Sequence, residues 1–315
     1  MTDYGHDLSR SIPTDAMYVG ELSFARRRTT RDLDGVDIAV VGIPFDLGTT
    51  NRPGARLGPR AIREQSSQVA AYPWGLWPWD FNVFERCEVI DYSDIASSPG
   101  YADRMIDAVT SEVGSILDAG VSVVSLGGDH MVAFPLLRAH HARHGPLSLV
   151  HFDAHSDTWS DGDDLNHGTV FHLAVRDGLV DPAHSVQVGL RTPNPDDHGF
   201  TIVDAEQLRV QGTDAVIAMI REVVGARPAY LTLDMDFLDP AYAPGTGTPV
   251  IGGPTTAEAR SLLHGLAGMR IVGGDVVEVS PPYDGAGQIT ALAAATLAHD
   301  LLHLVALGRD SGRAE

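Results

Sequence analysis

The stretch PLSLVHFDAHSDT, residues 146–158, decides how this chain is read. It starts as an unbroken apolar run and ends in a cluster of ligand-type side chains, Asp153, His155 and Asp157. A half-exposed strand alternates apolar and polar positions; a strand covered on both faces, as in a parallel sheet, does not. The same grammar recurs in VDIAVVGIPFD (36–46), VSVVSLGGDH (121–130), HSVQVGLRT (184–192), AYLTLDMDFLDP (229–240) and RIVGGDVVEVSPPYD (270–284). Each run turns polar or glycine-rich at its C-terminal end.

Helix-like segments separate these runs, at roughly 101–119, 131–144, 213–224, 255–266 and 290–307. Strands alternating with helices imply βαβ units and an α/β fold: a mainly parallel sheet with helices on both faces. No short repeat, low-complexity tract or Pro/Ser linker divides the chain. The expectation is an N-terminal arm over residues 1–34, containing Arg26, Arg27 and Arg28, followed by one domain over 35–315.

Composition narrows the function. Lys+Arg of 22 against Asp+Glu of 42 gives a net charge of −20, a field that repels nucleic acid and anionic lipid and attracts cations. The same charge also serves plain solubility. The single Cys87 excludes an intrachain disulfide and a cysteine zinc cluster. All 22 basic residues are arginines, so Schiff-base lysine chemistry and a P-loop lysine are excluded. No apolar run approaches the ~20 residues of a membrane span. Asp3, His6 and Asp7 stand where a secretory signal needs positive charge, so a cytoplasmic protein is expected.

In open parallel sheets, ligands gather outside the carboxyl ends of the strands. There this chain places Asp129 and His130, then Asp153, His155 and Asp157, then Asp234 and Asp236, and finally Glu278. Along a strand, residues i and i+2 point the same way, so Asp153 pairs with His155 and Asp234 with Asp236. Two such strands suit two cations ~3.5–4 Å apart. Carboxylate and imidazole donors without sulfur suit Mn²⁺ best, with Co²⁺, Ni²⁺, Fe²⁺ or Zn²⁺ as substitutes. Strand-end helix caps or surface ion pairs are the plain alternative for any one cluster, but three clusters together argue against it.

GGDH (127–130), FDAHSDT (152–158), HGT (167–169), DMDFLDPAYAPGTGTP (234–249) and DVVEVSPPYD (275–284) resemble the ureohydrolase (arginase/agmatinase) superfamily. The resemblance extends through GIPFDLGTTNRPGARLGPRAIR (42–63) and covers nearly everything from about residue 35 to the C-terminal helix. It is nearest to bacterial agmatinases, through WPWDFNVFERCEVIDYSD, NHGTVFHLAVRDGLVDPAHSVQVGLRT and GTGTPVIGG. The resemblance implies a three-layer α/β/α sandwich of the arginase/deacetylase type, with residues 35–315 as a single catalytic domain. It also implies a site with two Mn²⁺ that hydrolyses a guanidinium group to urea and an amine. One ion would take His130, Asp153, Asp157 and Asp234; the other Asp153, His155, Asp234 and Asp236, with Asp153 and Asp234 bridging. Trimers or hexamers are common in the superfamily.

Two divalent ions sharing a water lower its pKa and give a bridging hydroxide, which a poor electrophile such as a guanidinium carbon requires. Asp157 would orient that hydroxide, Glu278 would pair with the guanidinium nitrogens, and His167 would carry a proton to the leaving amine. For the tail, the loop SDGDDLN offers Asp161, Asp163 and Asp164 and no cation. Asp163 and Asp164 are therefore expected to favour the ammonium end of agmatine over a carboxylate. A solvated turn that never touches ligand is the alternative. The leading reading is an agmatinase producing putrescine and urea from a small cationic guanidino substrate. Guanidinobutyrase or another guanidino-compound hydrolase, including a guanidine hydrolase, is the runner-up. A non-catalytic metal-binding protein and a dinuclear phosphoesterase come further behind.

Four segments lie outside this scheme. Trp74, Trp77 and Trp79 suit a subunit contact, a lid or plain packing. His140, His141 and His144 are read as helix C-terminal residues facing solvent. Arg52, Arg56 and Arg60 are expected to pair with acidic groups, and Pro254 to start a helix.

Overall fold

The computed structural model describes residues 18–72, 76–160 and 164–313, with side chains to residue 309. Eight strands are present: β1 Ile38–Gly42, β2 Val89–Asp94, β3 Ser122–Leu126, β4 Ser148–Phe152, β5 Val186–Leu190, β6 Thr201–Asp204, β7 Ala229–Asp234 and β8 Ile271–Val277. The helices are α1 Gly58–Ala70, α2 Val83–Arg86, α3 Ala102–Asp118, α4 Ala133–His144, α5 Val170–Arg176, α6 Ala205–Gln211, α7 Thr213–Val224, α8 Thr256–Gly265 and α9 Ile289–Arg313.

The strands form one sheet in the order β2-β1-β3-β8-β7-β4-β5-β6, and every neighbouring pair is parallel. The apolar runs are continuous because both faces are covered. Along β1, Ile38 and Val40 point into a core shared with α1, α7, α8 and α9, whereas Ala39 and Val41 point into one shared with α3, α4 and α5. The result is a three-layer α/β/α sandwich.

The four central strands, β3-β8-β7-β4, are those that carry the polar strand-end motifs. Their register sets Leu126 beside Val276, Val276 beside Leu233 and Leu233 beside Phe152. The residues that follow therefore leave the sheet at one level, on one edge. Topology thus gathers four motifs scattered over almost 150 positions of sequence.

Several elements were not read from the sequence. β2 and β6 are edge strands with polar ends; α1, α2, α5 and α6 lie in segments to which no element was assigned. At the start of α8, Thr255 caps Glu258 N–H and Glu258 caps Thr255 N–H, a closed capping box, with Pro254 just ahead of it. One expectation is corrected. Ile289–Arg309 of α9 is long and apolar enough to cross a membrane, an 18-residue stretch of it averaging a hydropathy of 1.5, but 78% of that stretch is buried, so it is a core helix.

His140 is a second correction, for it does not face solvent. It is fully buried, its Nδ1 2.9 Å from Leu136 O and its ring against Tyr230. Gly273 on β8 makes the room: a Cβ there would lie 2.2 Å from His140 Nε2. The tryptophans divide. Trp79 is buried, stacked on His303 and bonded through Nε1 to Asp300 Oδ1 at 2.7 Å, which is packing against α9. Trp77 is 90% exposed, and Trp74 lies outside the described residues.

Candidate dinuclear metal centre

At the carboxyl edge of the sheet, His130 opens a short turn after β3 and Asp153 follows β4. His130 Nδ1 lies 2.9 Å from Asp157 Oδ2, 3.2 Å from Asp153 Oδ2 and 3.3 Å from Asp234 Oδ2. Beside it, His155 Nδ1 lies 3.1 Å from Asp236 Oδ2 and 3.4 Å from Asp153 Oδ1. Asp153 belongs to both groups, offering one oxygen to each. Asp234 Oδ1 accepts the Asp236 N–H at 2.7 Å, and Asp236 is further held by Ala154 N–H and Thr248 Oγ1. The structure therefore brings together all six residues singled out as ligands: His130, Asp153, His155, Asp157, Asp234 and Asp236.

The donor set fits divalent cations on three grounds. These carboxylates are buried, and among the described residues none forms a salt bridge to an arginine. Second, His130 Nδ1 is buried without a hydrogen-bond partner although three carboxylates converge on it. Third, the charges oppose one another. Burial, reinforced by Asp236 and Asp153, drives the Asp234 carboxyl well above the usual carboxylate range. Burial and the Asp153 charge push Asp236 up to about 6. Burial would raise Asp153 too, but His151, His130 and His155 hold it well below its ordinary value. Burial would lower His155, yet its two aspartates take it to about 12. A divalent ion held among these groups would relieve the repulsion that drives these shifts.

Glu278 follows β8 with φ of +63°, and Asp157 has φ of +51°, both in the left-handed region that disfavours side-chain-bearing residues. Glu278 is fully buried. Its Oε1 accepts the His130 N–H at 2.9 Å and lies 3.0 Å from His167 Nδ1, while Oε2 has no partner. His167 Nε2 receives the Thr50 N–H at 3.0 Å and meets the Thr50 hydroxyl at 2.7 Å. Burial lowers the His167 imidazole, but the Glu278 charge and hydrogen bond lift it to about 9.

Asp129 stands apart from the cage. Its Oδ2 accepts the Gly48 N–H at 2.6 Å and its Oδ1 the Met131 N–H at 3.1 Å, so it anchors the loop that carries Thr50. Burial, then the Glu278 charge, pushes Asp129 up to about 8. Gly128 permits this approach, because a Cβ there would fall 1.7 Å from Phe45 O.

Sequence reasoning missed His151 and Thr50. His151 Nε2 lies 2.7 Å from Asp153 Oδ2, and its signal was available: a histidine inside an apolar strand, two residues before an aspartate. Thr50 sits in a loop with no periodicity to place it. Of the tail residues, Asp161 and Asp163 lie outside the described residues, and Asp164 is exposed with its carbonyl bonded to Thr169 Oγ1. The arginines of 52–60 are only partly paired with acids: Arg56 binds Asp46, whereas Arg52 lies over the Tyr283 ring.

Comparison with known proteins agrees with this geometry. The model of the arginase family matches residues 36–303. An agmatinase of Serratia proteamaculans (strain 568) is 46% identical over 306 residues, covering 97% of this chain and 98% of its own. The crystal structure of a hypothetical agmatinase from Burkholderia thailandensis superposes with a TM-score of 0.89 at 50% identity, covering 95% of this chain and 94% of its own. The proclavaminate amidino hydrolase of Streptomyces clavuligerus gives a TM-score of 0.87 at 38% identity, covering 93% of this chain and 99% of its own. By motif, topology and sequence alike, the chain belongs to the arginase family.

Proposed function

We propose that this protein is an agmatinase: it hydrolyses the guanidinium group of agmatine to give urea and putrescine, with two Mn²⁺ held by His130, Asp153, His155, Asp157, Asp234 and Asp236. When bound, two divalent ions lower the pKa of a shared water and supply a nucleophile at neutral pH.

The observation that carries the reading is Glu278. Its Oε1 is fixed by the His130 N–H and lies beside His167, and its Oε2 is buried and unpartnered next to the cage. A guanidinium offers N–H donors in a rigid fork, and such a charge-assisted contact holds it for attack. Asp157, beside His130 Nδ1, directs the nucleophile. His167, joined to Glu278 on one ring nitrogen and to Thr50 on the other, carries the proton to the departing amine. The relatives named agmatinases support the choice of tail, as does the acidic sequence around Asp163 and Asp164, which suits a terminal ammonium.

A second reading, a guanidino-acid hydrolase, is favoured by the likeness to proclavaminate amidino hydrolase, whose name gives a carboxylate as its substrate. Urea release from the Mn²⁺-loaded protein, with agmatine, 4-guanidinobutyrate, arginine and guanidine side by side, separates the two. Preference for agmatine is expected. Preference for 4-guanidinobutyrate would favour the second reading, and no urea from any of the four would overturn the hydrolase reading.

A further inference from the structure

Behind the cage, two hydrogen-bonded chains run across the sheet and end on the same group of ligands. In the first, Tyr230 OH donates to Asp275 Oδ2 at 2.7 Å, Thr232 Oγ1 donates to Asp275 Oδ1 at 2.5 Å, and Thr232 Oγ1 lies 2.8 Å from His130 Nε2. All four residues are fully buried. Thr232 has one hydroxyl proton, and its short bond to Asp275 uses it. The hydroxyl must then accept from His130, so Nε2 carries the hydrogen. Nδ1 is left as the lone-pair nitrogen, and Nδ1 faces Asp153, Asp157 and Asp234.

The second chain starts on β5. Gln187 Nε2 donates to Ser156 O at 2.6 Å and lies 3.0 Å from His151 Nδ1. The Ser156 carbonyl can only accept, which fixes the amide with its NH₂ on this side, and the second N–H goes to His151 Nδ1. His151 therefore bears its proton on Nε2 and donates it to Asp153 Oδ2 at 2.7 Å. By position alone His151 groups with His130, Asp153 and Asp157 as a potential ligand. Its hydrogen bonds make it a donor instead, with no lone pair left for an ion.

We propose that Thr232–Asp275 and Gln187–His151 are positioning relays that set the affinity of one ion of the pair, the one seated against His130, Asp157 and the Asp153 Oδ2 edge. The first chain fixes which nitrogen of His130 meets the ion; the second fixes the rotation of the shared Asp153 carboxylate. The ion at His155 lies outside the His130 chain and meets Asp153 through Oδ1, the oxygen His151 does not bond. Its ligand Asp236 is held from the outside, by Thr248 Oγ1 and the Ala154 N–H, and the His155 side chain is 22% exposed. The inference rests on the dinuclear reading of the site and assigns roles to residues outside its ligand set.

The test titrates metal-stripped full-length protein with Mn²⁺ and follows bound metal and the exchange-coupled electron paramagnetic resonance signal of a manganese pair. Wild type is expected to take two equivalents and show the coupled signal. Thr232→Val and His151→Phe are expected to keep one equivalent at wild-type affinity, to weaken the other ~10–100-fold, and to lose the coupled signal until Mn²⁺ is in large excess. Thr232→Ser, which restores the hydroxyl, is expected to restore the second equivalent. Should Thr232→Val fail to fold, Gln187→Met reads the other relay with a smaller disturbance. Folded variants that take both equivalents at wild-type affinity would overturn the proposal, as would equal weakening of both ions. A wild type without a coupled signal would defeat the dinuclear reading itself, and the relays with it.

Discussion

Glu278 holds a backbone conformation that costs a side-chain-bearing residue ~1–3 kcal/mol, and it does so fully buried with one oxygen unbonded. Such an arrangement persists only because its neighbours over-determine it; here the His130 N–H and His167 do so. Glu278→Gln keeps the shape and removes the charge proposed to meet a guanidinium. It is expected to lower kcat/KM by ~10²-fold or more, a loss of ~2.7 kcal/mol, with both Mn²⁺ still bound by elemental analysis. His167→Ala is expected to lower kcat by ~10²-fold with metal content intact. Unchanged turnover in a metal-replete variant would remove His167 from the mechanism. The six cage residues were legible because aspartates and histidines spaced i and i+2 at the end of an apolar strand have few other uses. Thr50, Gln187 and Asp275 were not, since a threonine in a loop or a polar residue within a strand has many uses until a partner 30 to 120 positions away is placed beside it.

At the scale of elements, α4 and β8 meet through an imidazole. Burial lowers His140 to about 4, and His299 on α9 to about 3. Both folded values lie below the ordinary histidine value near 6.5, so the unfolded chain binds more protons between the two. Their contribution is complete above about pH 6.5 and is lost as pH falls toward about 4. For His140 the amount is on the order of 3 kcal/mol. Urea denaturation of wild type and His140→Leu at pH 7.5 and pH 5 checks this: the variant is expected to lose less stability on acidification. Equal losses would mean that His140 stays neutral in the unfolded chain or is hydrated in the folded one. The packing that creates this buried group also explains why it was misread. Three histidines in the last turns of a helix look like dipole partners, and only Gly273, on a strand more than 130 residues later, shows that one of them turns inward.

Considered whole, the molecule concentrates acidic side chains at one edge of its sheet. Asp153, Asp157, Asp234, Asp236 and Glu278 are all buried there. Removing the metal should therefore destabilise the entire fold. Two ions each present at ~100 times their dissociation constant contribute ~2.7 kcal/mol apiece, or a shift in melting temperature on the order of 10 °C at pH 7.5. Calorimetry before and after chelation, with Mn²⁺ restored, measures it; no shift would mean that the cage is not the ion site. The sheet, its two helical layers and the edge that bears the site were all readable from apolar runs ending in polar clusters. The order of the strands was not, because periodicity says nothing of neighbours. That order has a consequence for synthesis. β8 lies between β3 and β7 but comes last in sequence among the described strands, so any sheet formed before it is made leaves β3 and β7 as bare edges. Unpaired apolar edges are templates for mispairing with other chains. Copies in which β8 has yet to pair are thus most vulnerable to one another, and the strand that zips the gap shut also delivers Glu278, so a complete site and a closed sheet arrive in one event.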